Sequence, residues 1–376
     1  MIEAMNAPTL GWKTGFEIEL MMPAGRTRRD LAARVAARVG GRVERFFHPQ
    51  SEPSKVPGRP SFENLTLGFR VRDAAGAAIA SFVDDLTLQR GLIKTAVPKP
   101  GWYRIVSDDG RLLRLAMRHG DAEAGLETAL KPLADLFGTA LEPHEGGMLR
   151  VVDERRISVA IGAPLPGERE RPCEIVTAPL ERDHAAALEA LVADARTEGC
   201  TVPAESATHV HFDGTALESA GAMAALVALL WRHGDALKVM VGFNPNCVRL
   251  GKWPEALPQL TATPAFRAMA WPEARAAMLA TGISKYCDYN ILNIASDNRA
   301  KPTFELRVLP TVLEVRPVLM AAALFEGVLR WCAAPGAVER PVPDTPLALV
   351  EALDLAPEVR AHWSPRASTM SHGAMR

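Results

Sequence analysis

Three short segments each carry two charged or imidazole side chains separated by one apolar residue. They are Glu17-Ile18-Glu19, His209-Val210-His211 and Glu305-Leu306-Arg307. A fourth, PCEIVTAPL, carries Glu174 alone in a similar setting. Alternation with period two is the pattern of a half-buried strand, in which residues i and i+2 share a face about 6.6 Å apart. Each segment therefore reads as a strand with a polar fork on one side and Ile18, Val210 or Leu306 on the other. The apolar sides need cover, and segments of helical period supply it. Thr27 and Asp30 form a capping-box pair ahead of Leu31, Val35 and Val39. Leu188, Leu191, Val192 and Ala195 share one face of a helix over 183–198, and residues 216–233 and 316–333 are strongly apolar helices. The chain reads as α+β, with polar strands backed on one side by apolar helices.

Elsewhere, residues 62–118 look β-rich, with turns at Asp73–Gly76 and Asp108–Gly110, and 121–140 look helical. Asp84-Asp85 also reads as a turn. Residues 48–60 are rich in Pro, Ser and Gly and read as a loop, a candidate lid over a site. The organisation expected is one large domain over 1–334, with a β-rich insertion at about 50–145 and a loosely structured tail over 335–376.

Several classes are argued against. With 43 Lys and Arg against 44 Asp and Glu, the formal charge is −1, and nonspecific nucleic-acid binding requires surplus positive charge. The longest apolar run, Ala220–Trp231, falls short of the about 20 residues that span a bilayer. MIEAMNAPTL lacks the basic and apolar regions of a signal peptide. The five cysteines are odd in number, dispersed and without a Cys-x-x-Cys pair, so neither a disulfide framework nor a cysteine zinc site is expected. The expected compartment is the cytoplasm, with no membrane or nucleic-acid partner.

The forks carry the chemistry. If they converge, four carboxylates, two imidazoles and one guanidinium meet. Carboxylates crowded without cations repel and their pKa values rise, so a divalent cation is the natural neutraliser. An oxygen-rich set suits Mg²⁺ or Mn²⁺, and metal-bound carboxylates beside an arginine suit a polyphosphate. Neither Gly-x-x-x-x-Gly-Lys nor Gly-x-Gly-x-x-Gly after a strand occurs, so the residues point to phosphoryl chemistry on a nucleotide without a P-loop. Two alternatives stand beside this reading. His209-x-His211 with a carboxylate can hold Zn²⁺ in a hydrolase, or the chain binds nucleotide without turning it over. His48, His119, His144 and His233 read as surface or satisfied helix-end residues.

GFEIEL, PCEIVTAPL, THVHFD and TFELRVLP, in that order over about residues 14–315, resemble the amidoligase family, a branch of the carboxylate–amine ligases related to glutamine synthetase. The resemblance implies a glutamine synthetase-like core, a curved and mostly antiparallel sheet forming an active-site funnel with helices outside. It implies ATP-dependent joining of a carboxylate to an amine through an acyl phosphate, with Mg²⁺ or Mn²⁺ bridging phosphates and protein. By that resemblance Glu17, Glu19, Glu174, His209 and Glu305 are metal ligands, and His211 lies near the nucleotide phosphates. Arg307 contacts the transferred phosphoryl group and forms the catalytic set with Glu305 and Glu17. FNPNCVRLG is similar to a basic substrate-side loop and nominates Arg249. Lys285, Asn290, Asn293 and Arg299, just before the last motif, are candidates for contacts with ATP or substrate. The partners implied are a small-molecule, peptide or protein carboxylate, an amine or ammonia donor, and a possible amidotransferase.

Overall fold

The computed structural model describes residues 7–53, 61–247, 250–296 and 301–373. The described strands are β1 (Thr14–Met21), β2 (Arg42–Pro53), β3 (Ser61–Arg72), β4 (Ala78–Val83), β5 (Tyr103–Ser107), β6 (Glu142–His144), β7 (Met148–Val152), β8 (Ser158–Pro164), β9 (Pro172–Thr177), β10 (Ala207–Asp213), β11 (Tyr289–Asn290) and β12 (Thr303–Pro310). Twelve α-helices accompany them among the described residues, so the α+β class expected from the sequence is the class observed. The chain forms two compact units. One comprises Met1–Ile18, Pro179–Val192 and Ser206–Arg376; the other comprises Glu19–Ala178 and Ala193–Glu205. No helix among the described residues is long and apolar enough to cross a membrane.

In the first unit the strand order is β11-β12-β10-β1, every pair antiparallel. The alternation of GFEIEL, THVHF and TFELRVL is realised directly. Register aligns Phe16, Val210, Leu306 and Tyr289 in one row. Phe16, Val210, Leu306, Phe212 and Phe304 are all buried. Burying a side chain of this size contributes about 2–3 kcal/mol. Cover comes from the helices Ala220–Met240 and Val315–Ala333. Phe325 lies 5.7 Å from the Tyr289 ring, and the Tyr289 hydroxyl donates to the Gly234 carbonyl at 2.6 Å. A Cβ at Gly234 would come within 2.9 Å of the Tyr289 ring, which explains a glycine inside that helix.

Three expectations need correction here. The helix expected over 216–233 starts at Ala220, because Ser219 caps it by accepting from the Ala222 N–H at 3.1 Å, and it runs on to Met240. His233 is buried within it, its ring nitrogen 2.8 Å from the Pro343 carbonyl. Residues beyond 335 are not a loose tail. Helices Pro346–Ala352 and Pro357–Gly373 form there, and Val359, Trp363 and Ala367, at helical spacing, are buried. The Trp363 indole N–H donates to the Met320 carbonyl at 3.0 Å and seats the last helix on Val315–Ala333.

In the second unit β3 is the organising strand. Its whole length pairs with β2, and its other edge pairs first with β5 and then with β4. The ladders continue from β4 to β9 and from β5 through β8 and β7 to β6. The expected loop at 48–60 begins instead as strand, since β2 continues to Pro53; residues 54–60 lie outside the described residues. The Thr27–Asp30 capping box is present, with the Thr27 N–H donating to Asp30 at 2.7 Å, and starts the helix Arg28–Arg38. Asp108–Gly110 is a helix start rather than a hairpin turn: Asp109 caps Gly110–His119 by accepting from the Arg111 N–H at 2.9 Å. Asp84 is buried and ion-paired with Arg169.

Candidate metal centre

The polar face of the first unit's strands gathers the forks. Register sets Glu17 of β1 across from His209 of β10, His211 across from Glu305 of β12, and Glu305 across from Asn290 of β11. The β10–β12 register shifts between Thr208 and Val210, so Arg307 and Val308 together stand opposite His209. Such bulges re-aim side chains and are frequent beside functional sites.

The result is a tight group. His209 Nδ1 lies 3.2 Å from Glu17 Oε2 and 3.6 Å from Glu305 Oε1. His211 Nε2 lies 2.9 Å from Glu17 Oε1 and 3.7 Å from Glu305 Oε1. His209, His211 and Glu305 are buried and Glu17 is half-buried. Two cations flank the group: Arg307 Nη1 pairs with Glu305 Oε1, and Lys301 Nζ stands 3.4 Å from Glu17 Oε1. Burial pushes the Glu17 carboxyl up, but the His211 and His209 imidazoles more than offset this and hold it well below the usual carboxylate range. Burial also pushes Glu305 up; His211, Arg307 and His209 outweigh it and bring Glu305 below its ordinary value. Both carboxylates are therefore charged at neutral pH.

A second layer holds these groups in place. Asn290 Nδ2 donates to Glu305 Oε2 at 2.6 Å, while Asn290 Oδ1 accepts from the Leu292 N–H at 2.9 Å. Thr303 Oγ1 accepts from Asn293 Nδ2 at 3.0 Å and lies 3.3 Å from His211 Nδ1. With Nδ1 directed at Thr303, Nε2 faces Glu17 and Glu305.

That nitrogen decides whether a cation fits. His211 Nε2 is buried and makes no hydrogen bond, although Glu17 Oε1 is close. Glu17, His211 and Glu305 offer ligand atoms that all lie within 4.8 Å of one another. Ligands about 2.0–2.2 Å from one ion stand roughly 3 Å apart, so the residues present fit a divalent cation.

Residues 10–329 match the family model described as "Putative amidoligase enzyme". The chain belongs to this amidoligase family. Amidoligases are ligases, and the four motifs that suggested the resemblance all fall inside the matched span. No curated protein and no solved structure matches the chain.

Glu19 is buried toward the end of β1 and Glu174 is half-buried on β9 across from Val83; both belong to the second unit. Lys285 is exposed, its ammonium 5.4 Å from the Tyr286 ring, and it pairs with none of the cluster's carboxylates among the described residues. Arg249 and Arg299 lie outside the described residues. Asn290 and Asn293, nominated for ATP or substrate, donate to Glu305 and Thr303. Sequence reasoning missed Lys301 and Thr303 in this amidoligase. Thr303 was findable, because it precedes Glu305 by two residues on one strand and so shares its face. Lys301 lies just ahead of the strand, where no periodicity applies.

Proposed function

We propose that this amidoligase joins a carboxylate to an amine in an ATP-dependent reaction assisted by Mg²⁺ or Mn²⁺. The observation that carries the reading is the convergence of Glu17, His211 and Glu305 around an imidazole nitrogen with no hydrogen bond, flanked by Arg307 and Lys301. Glu17, His211 and Glu305 would hold the cation, with His209 against both carboxylates. The resemblance adds Glu19 and Glu174 as further ligands. When bound, the divalent cation would neutralise phosphate charge and align the transferred phosphoryl group.

The chain's own groups would do the rest. Arg307 carries a planar, permanently charged guanidinium beside the cluster and is suited to the equatorial oxygens of a moving phosphoryl group. Asn290 fixes Glu305, and Thr303 fixes the His211 ring. In the reaction, the substrate carboxylate attacks the γ-phosphorus and ADP leaves. The amine nitrogen then attacks the acyl carbon, and phosphate departs with the acyl C–O bonding pair. The partners proposed are a small-molecule, peptide or protein carboxylate and an amine or ammonia donor.

The test is calorimetric titration of ATP into the protein with Mg²⁺ and with chelator, beside Glu17→Ala. The expected result is Mg²⁺-dependent binding that is lost in the variant. Binding that is equal in both proteins, or indifferent to chelator, overturns the reading. The presence of two imidazoles favours a zinc hydrolase as the second reading. Stoichiometric zinc in the purified protein with no response to ATP would select it. The flanking cations weigh against it, since a zinc-bound water has no need of them.

A further inference from the structure

We propose that Lys301 is a polyphosphate-binding residue that releases Glu17 when a divalent cation is bound. The inference rests on the metal-dependent ligase reading above and adds a residue to it. Three observations carry it.

The first is a contested oxygen. Lys301 Nζ stands 3.4 Å from Glu17 Oε1, the same atom that faces His211 Nε2 at 2.9 Å. A divalent cation seated between Glu17 and His211 would claim that oxygen and repel the ammonium. The pair is cheap to break, because the Lys301 side chain is 49 % exposed and exposed ion pairs are worth about 0–1 kcal/mol.

The second is charge balance. Glu17 and Glu305 are matched one for one by Lys301 and Arg307, and an imidazole that ligates a metal does so as the neutral ring. A divalent cation leaves the group with two positive charges in excess, so an anion must follow it. The third is reach. Lys301 leads into β12, yet its ammonium meets a carboxylate on β1, with β10 between them. Arg307 holds the β12 side. The two cations thus pair with different carboxylates of one cluster, so an anion with several oxygens can meet both.

A residue that competes with the metal and then binds the anion has effects of opposite sign on the two ligands. A merely structural residue does not. Mn²⁺ alone, and then inorganic tripolyphosphate at saturating Mn²⁺, would be titrated into the full chain, Lys301→Met and Lys301→Arg. For Lys301→Met the expected result is Mn²⁺ affinity unchanged to a few-fold tighter, with tripolyphosphate bound about 10-fold more weakly. Lys301→Arg should restore most of the anion affinity. Unchanged tripolyphosphate affinity in Lys301→Met, or a loss of Mn²⁺ affinity in it, overturns the assignment of Lys301 alone. Failure of the wild-type chain to bind Mn²⁺ or tripolyphosphate overturns the ligase reading as well.

Discussion

Glu326, on the helix Val315–Ala333, and the carboxylates on the polar strand face lie in the same unit and are treated differently. Both Glu326 oxygens are occupied by donors of its own chain. Oε1 accepts from Arg330 Nε at 2.8 Å, Oε2 accepts from the Trp12 N–H at 3.3 Å, and the Gly11 N–H reaches both at 3.0–3.1 Å. Glu305 also accepts from Asn290 and Arg307, and Glu17 from Lys301, but these two carboxylates face ring nitrogens as well, and one of these, His211 Nε2, has no hydrogen bond. A buried carboxylate saturated by N–H donors holds structure together. One crowded against a ring nitrogen that has no hydrogen bond is held for something else, because leaving such a group unmatched costs about 1–3 kcal/mol.

The comparison breaks most sharply at Glu305. Glu305→Ala should lower Mn²⁺ affinity by more than about 100-fold, and because it strips Asn290 and Arg307 of their acceptor it should also lower the melting temperature. Titration and thermal unfolding on one sample would read both. A fall in stability without a loss of Mn²⁺ affinity would make Glu305 a second Glu326.

Glu326→Ala should lower stability alone. It leaves Arg330 and two backbone N–H groups without their acceptor, which should cost about 2–4 kcal/mol in denaturant unfolding. Mn²⁺ affinity should stay within about two-fold. Thr303→Val sharpens the distinction at one remove. It deletes the hydroxyl that orients His211 and should weaken Mn²⁺ binding about 10-fold, with Thr303→Ser near wild type. Equal affinity in both variants would show that the ring needs no such support.

The smallest effect tests the same rule in the second unit. Glu198 is paired with Arg26 and Arg34. Burial raises its pKa, and the two guanidinium groups outweigh that and leave it below the ordinary value. A carboxyl lowered on folding contributes stability above the unfolded pKa, about 4.3, and loses it as pH falls through the lower folded value. Glu198→Gln should therefore cost about 1 kcal/mol at pH 7 and nothing once the pH is below both values. Parallel unfolding curves for the two proteins across pH 2–7 would remove Glu198 from the saturated class.

Much of this was legible in order along the chain. The period-two segments became β1, β9, β10 and β12, and the capping box started the helix it announced. The polar forks were legible because a strand displays alternate residues whatever it pairs with. The last helix was not, because Pro365 and a polar composition mask the spacing of Val359, Trp363 and Ala367, which matters only once Val315–Ala333 offers a surface. Asp109 was misread because an Asp–Gly pair serves a turn and a helix cap equally well. Lys301 was invisible because its partner, Glu17, is 284 residues away in sequence.

The amino-acid order alone determined which side of each strand is polar and which needs a helix, because that depends only on the two-residue repeat of the extended backbone. The tertiary structure alone decided which forks meet. The order β11-β12-β10-β1 and the shift between Thr208 and Val210 set Glu17, His209, His211 and Glu305 against one another. Register follows from long-range pairing and the packing of the opposite face, and a slip of one residue would turn every fork into the core.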